Sequence, residues 1–177
     1  MTRSLVLTLI GRDRPGLVNA LAGAVAEAGG NWLESRLAHL AGQFAGIVRV
    51  ALPEANIPGL TAALGALGES GLRIGIEPAA PAGAGQRVTI WQLDLVGHDR
   101  PGIVRDATSA LLSFGISIEE FSSGIESAPF TGGEMFRLTA RLAVPENVAL
   151  EDLREGLERL AGEIMVDLSL KEVCGKA

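Results

Sequence analysis

The chain has 177 residues, a formal charge of −6, a 47% hydrophobic composition and one cysteine, Cys174. That is room for two modules with cores of their own, and it is too apolar for a disordered chain. The acidic balance and the lack of basic runs argue against a nucleic-acid partner, whose phosphates call for Lys and Arg, and one cysteine excludes an internal disulfide framework.

In chain order, Leu5, Leu7 and Leu9 alternate as in a strand with one buried face, residues 4–10. The stretch Gly11-Arg12-Asp13-Arg14-Pro15-Gly16-Leu17-Val18 turns that strand into a helix, where Leu17, Leu21, Ala24 and Ala28 recur at helical spacing. Pro15 suits the first helical turn, and Asp13 is placed to accept from its free N–H groups. Gly29-Gly30 ends the helix, and a hairpin follows, residues 31–40 against 43–52. A second helix carries Leu60, Leu64 and Leu67, and a strand at 72–77 closes the unit.

After a Pro-, Ala- and Gly-rich linker at 79–86, the order starts again. A strand at 88–96 leads into Gly97-His98-Asp99-Arg100-Pro101-Gly102-Ile103-Val104, which repeats residues 11–18 at a distance of 86 positions (11 to 97). Ile103, Ala107, Leu111 and Phe114 mark the helix, Gly115 its end, and residues 117–126 with 134–144 the hairpin. Leu150, Leu153, Leu157 and Leu160 mark the last helix, and the alternating Ile164, Val166, Leu168 and Leu170 the last strand. Leu52-Pro53-Glu54 returns as Val144-Pro145-Glu146 at a distance of 92 (53 to 145), so the second copy holds six extra residues, read as a hairpin loop at 127–132. Its Pro129 and Phe130 are candidates for partner contact. The expected architecture is α+β: two βαββαβ, ferredoxin-like domains in tandem, each an antiparallel sheet backed by two helices. Domain 1 is expected at 1–78, domain 2 at 87–173, and a tail at 174–177.

The repeated strand–turn–helix entrance is the strongest chemical signal. A helix start presents unpaired N–H groups and about half a positive charge, which suits a carboxylate. Gly11, Gly16, Gly97 and Gly102 let backbone come close to a ligand. Asn31 offers an amide oxygen to an ammonium group, and Ser117 stands in its place in copy two. Donors for a carboxylate and an acceptor for an amine describe a free amino acid; the same residues also read as a well-capped turn. Trp32 either closes the pocket or packs beneath the helix. Other chemistry is weaker. No phosphate loop, nucleophile elbow or His-Glu-x-x-His run occurs, and His39 and His98 stand alone in separate copies. No cofactor, metal site or enzymatic activity is expected. No apolar run approaches the ~18 residues that span a bilayer, and residues 4–10 are too short for a signal peptide, so the expected location is the cytoplasm.

Gly11-x-Asp13-Arg14-Pro15-Gly16-Leu17-Val18 followed by Asn31 resembles the signature of ACT domains, small βαββαβ modules that bind amino acids and regulate metabolic proteins. Residues 31–38 are similar, more narrowly, to the glycine cleavage system transcriptional repressor family, whose members are two ACT domains and little else. The resemblance implies a regulator that responds to glycine, lacks a DNA-reading domain, and acts through a partner such as a transcription activator; glycine or serine is the expected ligand. It implies ligand contacts from Gly11, Asp13, Pro15, Gly16, Leu17, Asn31 and Trp32, and from Gly97, Asp99, Pro101, Gly102, Ile103, Ser117 and Ile118. Pairing as a homodimer or between the domains of one chain is expected too. The alternatives are a regulatory subunit acting in trans on an enzyme of amino-acid metabolism, and a ligand-free dimerisation module.

Overall fold

The computed structural model of the chain describes residues 1–69, 71–80, 87–127 and 133–173. It divides into two compact units, Met1–Gly83 and Ala84–Ala177. The first runs β1 (Thr2–Arg12), α1 (Leu17–Glu27), β2 (Asn31–Leu40), β3 (Gln43–Pro53), a single 3-10 turn (Glu54–Asn56), α2 (Ile57–Glu69) and β4 (Leu72–Pro78). The second repeats it with β5 (Val88–His98), α3 (Ile103–Ser113), β6 (Ser117–Ser127), β7 (Glu134–Pro145), α4 (Leu150–Ile164) and β8 (Val166–Glu172). The sheets are ordered β2-β3-β1-β4 and β6-β7-β5-β8, with antiparallel neighbours throughout. These are the two ferredoxin-like α+β units expected from the sequence.

Each sheet buries one face. In β1, Leu5, Leu7 and Leu9 point to the helix side, paired with Val50, Val48 and Gly46 of β3. Leu17, Leu21 and Val25 of α1 and Leu60 and Leu64 of α2 close that core. Trp91, Leu93 and Leu95 play the same part under Ile103, Ala107, Leu111, Leu153 and Leu157. Complete burial of one such leucine stabilises the fold by about 1.5–3 kcal/mol. No helix among the described residues is long and apolar enough to cross a membrane.

The copies differ in their turns. The β2–β3 hairpin closes through Ala41 and Gly42, at φ 49° and 78°, between the pair Leu40↔Gln43. Two left-handed residues in a two-residue loop make a type I′ turn, whose twist matches that of the strands. In copy two the last pair is Ser127↔Glu134, so Ser127, expected in the inserted loop, ends β6 instead. Residues 128–132 of that loop, with Pro129 and Phe130, lie outside the described residues, as do 81–86 of the linker and the tail with Cys174. Both hairpins carry a bulge one step into the edge strand, between Trp32 and Glu34 and between Ile118 and Glu120.

Ile164, expected to open the last strand, is instead the final residue of α4. It is buried from the helix side, so it falls in phase with Val166 and Leu168 without belonging to their strand. Between helix and strand stands Met165 at φ 52°, ψ 57°, 82% exposed. Copy one has Gly71 at the same place, φ 91°, directly before β4.

Candidate ligand entrances

Both helices start in the same way. Gly16 (φ 92°, ψ −2°) and Gly102 (φ 90°, ψ −3°) take the N-cap positions, and neither cap has a side-chain hydrogen bond. Proline followed by a left-handed glycine is the pattern of a type II turn. In copy two the Ile103 N–H closes that turn on the Arg100 carbonyl at 3.4 Å. The expected capping by Asp13 and Asp99 is therefore replaced by backbone geometry, and Pro15 and Pro101 sit in the turn, before the helix proper. The Asp13 N–H instead bonds the Gly42 carbonyl at 3.1 Å, and its carboxylate lies 3.8 Å from His39 Nε2.

Gly11 and Gly97 serve packing. A methyl group at Gly11 would lie 2.7 Å from the Gly71 carbonyl oxygen, and one at Gly97 would lie 2.5 Å from Val166 Cγ1. The close approach expected toward a ligand is made by the chain's own edge strand. Leu17 and Ile103 are buried in the two cores. Trp32 is half-buried against the core of the first unit, opposite Val50, while Ile118 is 37% exposed. Asp13, Pro15, Gly16, Asp99 and Pro101 are exposed, and Gly102 is half-buried.

Register separates the two halves of the expected site. Gly11 is paired with Phe44, and Phe44 with His39 near the end of β2. Asn31 is paired with Ala51, and Ala51 with Ser4 near the start of β1. Seven strand positions, about 23 Å at ~3.3 Å each, thus lie between the entrance and Asn31. Ser117 stands equally far from Gly97, because it shares the row of Ala143 and Ile90. Within one domain, the carboxylate donors and the amine acceptor stay apart. Proximity in sequence misleads here because α1 carries the chain from one end of the sheet to the other.

A further pair of residues distinguishes the entrances. Asp106, in the first turn of α3, accepts from Arg100 Nη2 at 2.7 Å and from Arg105 Nε and Nη2 at 3.0 and 2.9 Å. The hydrogen bond from Arg100, then those from Arg105, hold its carboxyl below the ordinary aspartate range. A carboxylate in the first turn complements the positive end of the helix. Copy one has Ala20 and Asn19 at these places, and the first turn of α1 holds no acidic residue. Asp106 was not singled out from the sequence, although the distance of 86 positions sets it directly against Ala20.

Residues 3–75 match the ACT domain family. No curated protein sequence matches the chain significantly. Among solved structures, an unknown protein from Galdieria sulphuraria is 31% identical, with a TM-score of 0.83 over 98% of this chain and 99% of that one. A protein provisionally assigned as a glycine cleavage system transcriptional repressor is 22% identical, with a TM-score of 0.73 over 98% of both chains. At that identity the likeness is one of fold.

Proposed function

Because residues 3–75 match the ACT domain family and the second unit repeats their fold, we propose that the chain is a cytoplasmic regulator that senses a small amino acid and acts by contact with another protein. The observation that carries this reading is the contrast between the entrances. Domain 2 places its own Asp106 carboxylate in the first turn of α3 and grips it with two arginines. The start of α1 has the same backbone and no carboxylate, so a ligand's carboxylate fits there. The other half of the site, Asn31, comes from a second copy of the chain laid antiparallel beside the first, since one domain keeps the halves about 23 Å apart. Ligand binding then favours one assembly over others and changes the surface offered to a partner. The glycine cleavage assignment of the 22% identical structure makes glycine the first ligand to try and transcriptional control the first pathway.

The test is a thermal-shift titration with glycine, serine and the other free amino acids. A ligand at one hundred times its Kd stabilises by about 2.7 kcal/mol. Glycine or serine should raise the transition, and Asn31→Ala should remove the effect. Ala20→Asp, which puts the domain 2 carboxylate at the same place, should remove it as well, while Asp106→Ala should not. A flat response to every amino acid would refute the sensor reading.

A further inference from the structure

Each sheet has a second face, turned away from the helices, and strand register lines up its residues in rows. In domain 1 three successive rows read Glu34–Arg49–Val6–Glu77, Arg36–Ile47–Thr8–Gly75 and Ala38–Ala45–Ile10–Arg73. The equivalent rows of domain 2 read Glu120–Arg141–Gln92–Lys171, Ser122–Thr139–Asp94–Ser169 and Gly124–Arg137–Val96–Asp167. The two domains share a backbone and one Glu–Arg pair, so each serves as a control for the other.

The centre of the domain 2 face is polar and bonded within itself. Gln92 Nε2 donates to Asp94 Oδ2 at 3.0 Å, and Thr139 Oγ1 donates to Asp94 Oδ1 at 2.9 Å. Domain 1 puts Val6, Thr8 and Ile47 in those three places, and Ile47 and Ile10 are 51% and 40% exposed. Val6 and Ile47 floor a recess of about 180 Å³, bordered by Glu34, Arg36 and Arg49. It is smaller than the ~300 Å³ at which small-molecule sites begin, and is of a size for a side chain.

The charge around this apolar floor is unequal, with Arg12, Arg36, Arg49 and Arg73 on the face against Glu34 and Glu77. Glu34 lies 3.2 Å from Arg49 and 3.7 Å from Arg36, so its charge is already answered. The row of Ile10 carries Arg73, the next carries Arg12, and neither contains a carboxylate. We infer that the open sheet face of domain 1 docks an acidic amphipathic segment of a partner protein. One of its apolar side chains fills the Val6–Ile47 recess, and its carboxylates meet Arg12 and Arg73. A nucleic acid would match the arginines but not the apolar floor. The inference builds on the reading of the chain as a regulator that works by protein contact.

Two synthetic amphipathic peptides with the same leucines test it, one carrying glutamates on its polar face and the other lysines. Each is titrated into the 15N-labelled full chain. The glutamate peptide should shift the amides of Val6, Thr8 and Ile47 and leave those of Gln92, Asp94 and Thr139 in place. It should bind at least about tenfold tighter than the lysine peptide, and the triple variant Val6→Gln, Thr8→Asp, Ile47→Thr should weaken it at least about tenfold. These replacements already occupy the same rows of domain 2, and unchanged domain 2 amides with an unchanged circular dichroism spectrum check the fold. Equal binding of the two peptides, no binding of the glutamate peptide, or binding that survives the triple variant overturns the proposal. So does self-association in the ultracentrifuge that the triple variant abolishes, since a second copy is then the occupant. Peptide binding without any amino-acid thermal shift leaves the docking face and removes the sensor; the opposite pair of results does the reverse.

Discussion

Met165 holds a left-handed backbone conformation that a side chain with a Cβ adopts at a cost of about 1–2 kcal/mol. Gly71 takes the same corner of domain 1 freely. Nothing crowds the Met165 side chain, which is 82% exposed, so a change there reads the backbone term alone. Met165→Gly should stabilise domain 2 by about 1 kcal/mol, a rise of roughly 4–8 °C in its transition, measured by calorimetry. Asp106 gives a prediction with a sign in pH. Its carboxyl is held below the ordinary range by Arg100 and then Arg105. A lowered carboxylate pKa stabilises the fold above the unfolded value near 4 and loses that contribution as pH falls through the folded value. The urea midpoint of the wild-type chain should therefore drop on going from pH 6 to pH 3 by more than that of Asp106→Asn. Equal drops would show that the triad of Arg100, Arg105 and Asp106 contributes nothing to folding.

At the scale of elements, most of the architecture was legible because it rests on short-range pattern. Leu5, Leu7 and Leu9 state the period of β1, and the shift from 86 to 92 positions locates the longer hairpin, since only a loop absorbs six residues without breaking a ladder. What escaped is what register and dihedral angles decide. Asp13 looked like a cap because aspartate before a helix often is one. The Pro15-Gly16 turn sets the helix start instead. Asn31 looked close to Gly16, because a sequence does not show that one helix crosses the whole length of a sheet. The β2–β3 turn offers a direct check on how dihedral angles act here. Ala41 stands at φ 49°, where type I′ turns favour Asn. Ala41→Asn should stabilise domain 1 by about 0.5–1 kcal/mol in chemical denaturation, and a loss instead would mean that the turn relaxes to another type in solution.

For the whole molecule, the two units each carry their own apolar core and one of the two entrances, and their surfaces differ in chemical character. Leucines at equivalent places remain, Leu7 for Leu93 and Leu9 for Leu95, whereas Val6 answers Gln92 and Ala20 answers Asp106. On the proposed reading that divergence divides labour: domain 1 offers its entrance and apolar face, whereas domain 2 holds Asp106 between two arginines and keeps a hydrogen-bonded face. If Asn31 completes the site of another chain, glycine or serine should also drive association. Sedimentation velocity should show a larger species as ligand is added, and Asn31→Ala should stay at the ligand-free size. Ligand binding without any change in size would place the amine acceptor elsewhere.

The strand order bears on how the chain is made. β1, made before the other strands of its sheet, ends between β3 and β4, and its partners lie far along the chain, with Leu7 facing both Val48 and Ile76. A nascent chain that stops short of Leu72 has β1 paired on one side only and the core edge at Ile74 and Ile76 missing. Closing such distant contacts is slow compared with local helix formation. Domain 1 should thus acquire protease resistance in one step, when β4 has cleared the exit tunnel, and not gradually as α1 and the hairpin emerge. Chains arrested at lengths on either side of that point, probed by limited proteolysis, would show the step. Until then the leucines of β1 are open to chaperones, and a pause in synthesis before β4 is the moment at which this protein is most exposed to misassembly.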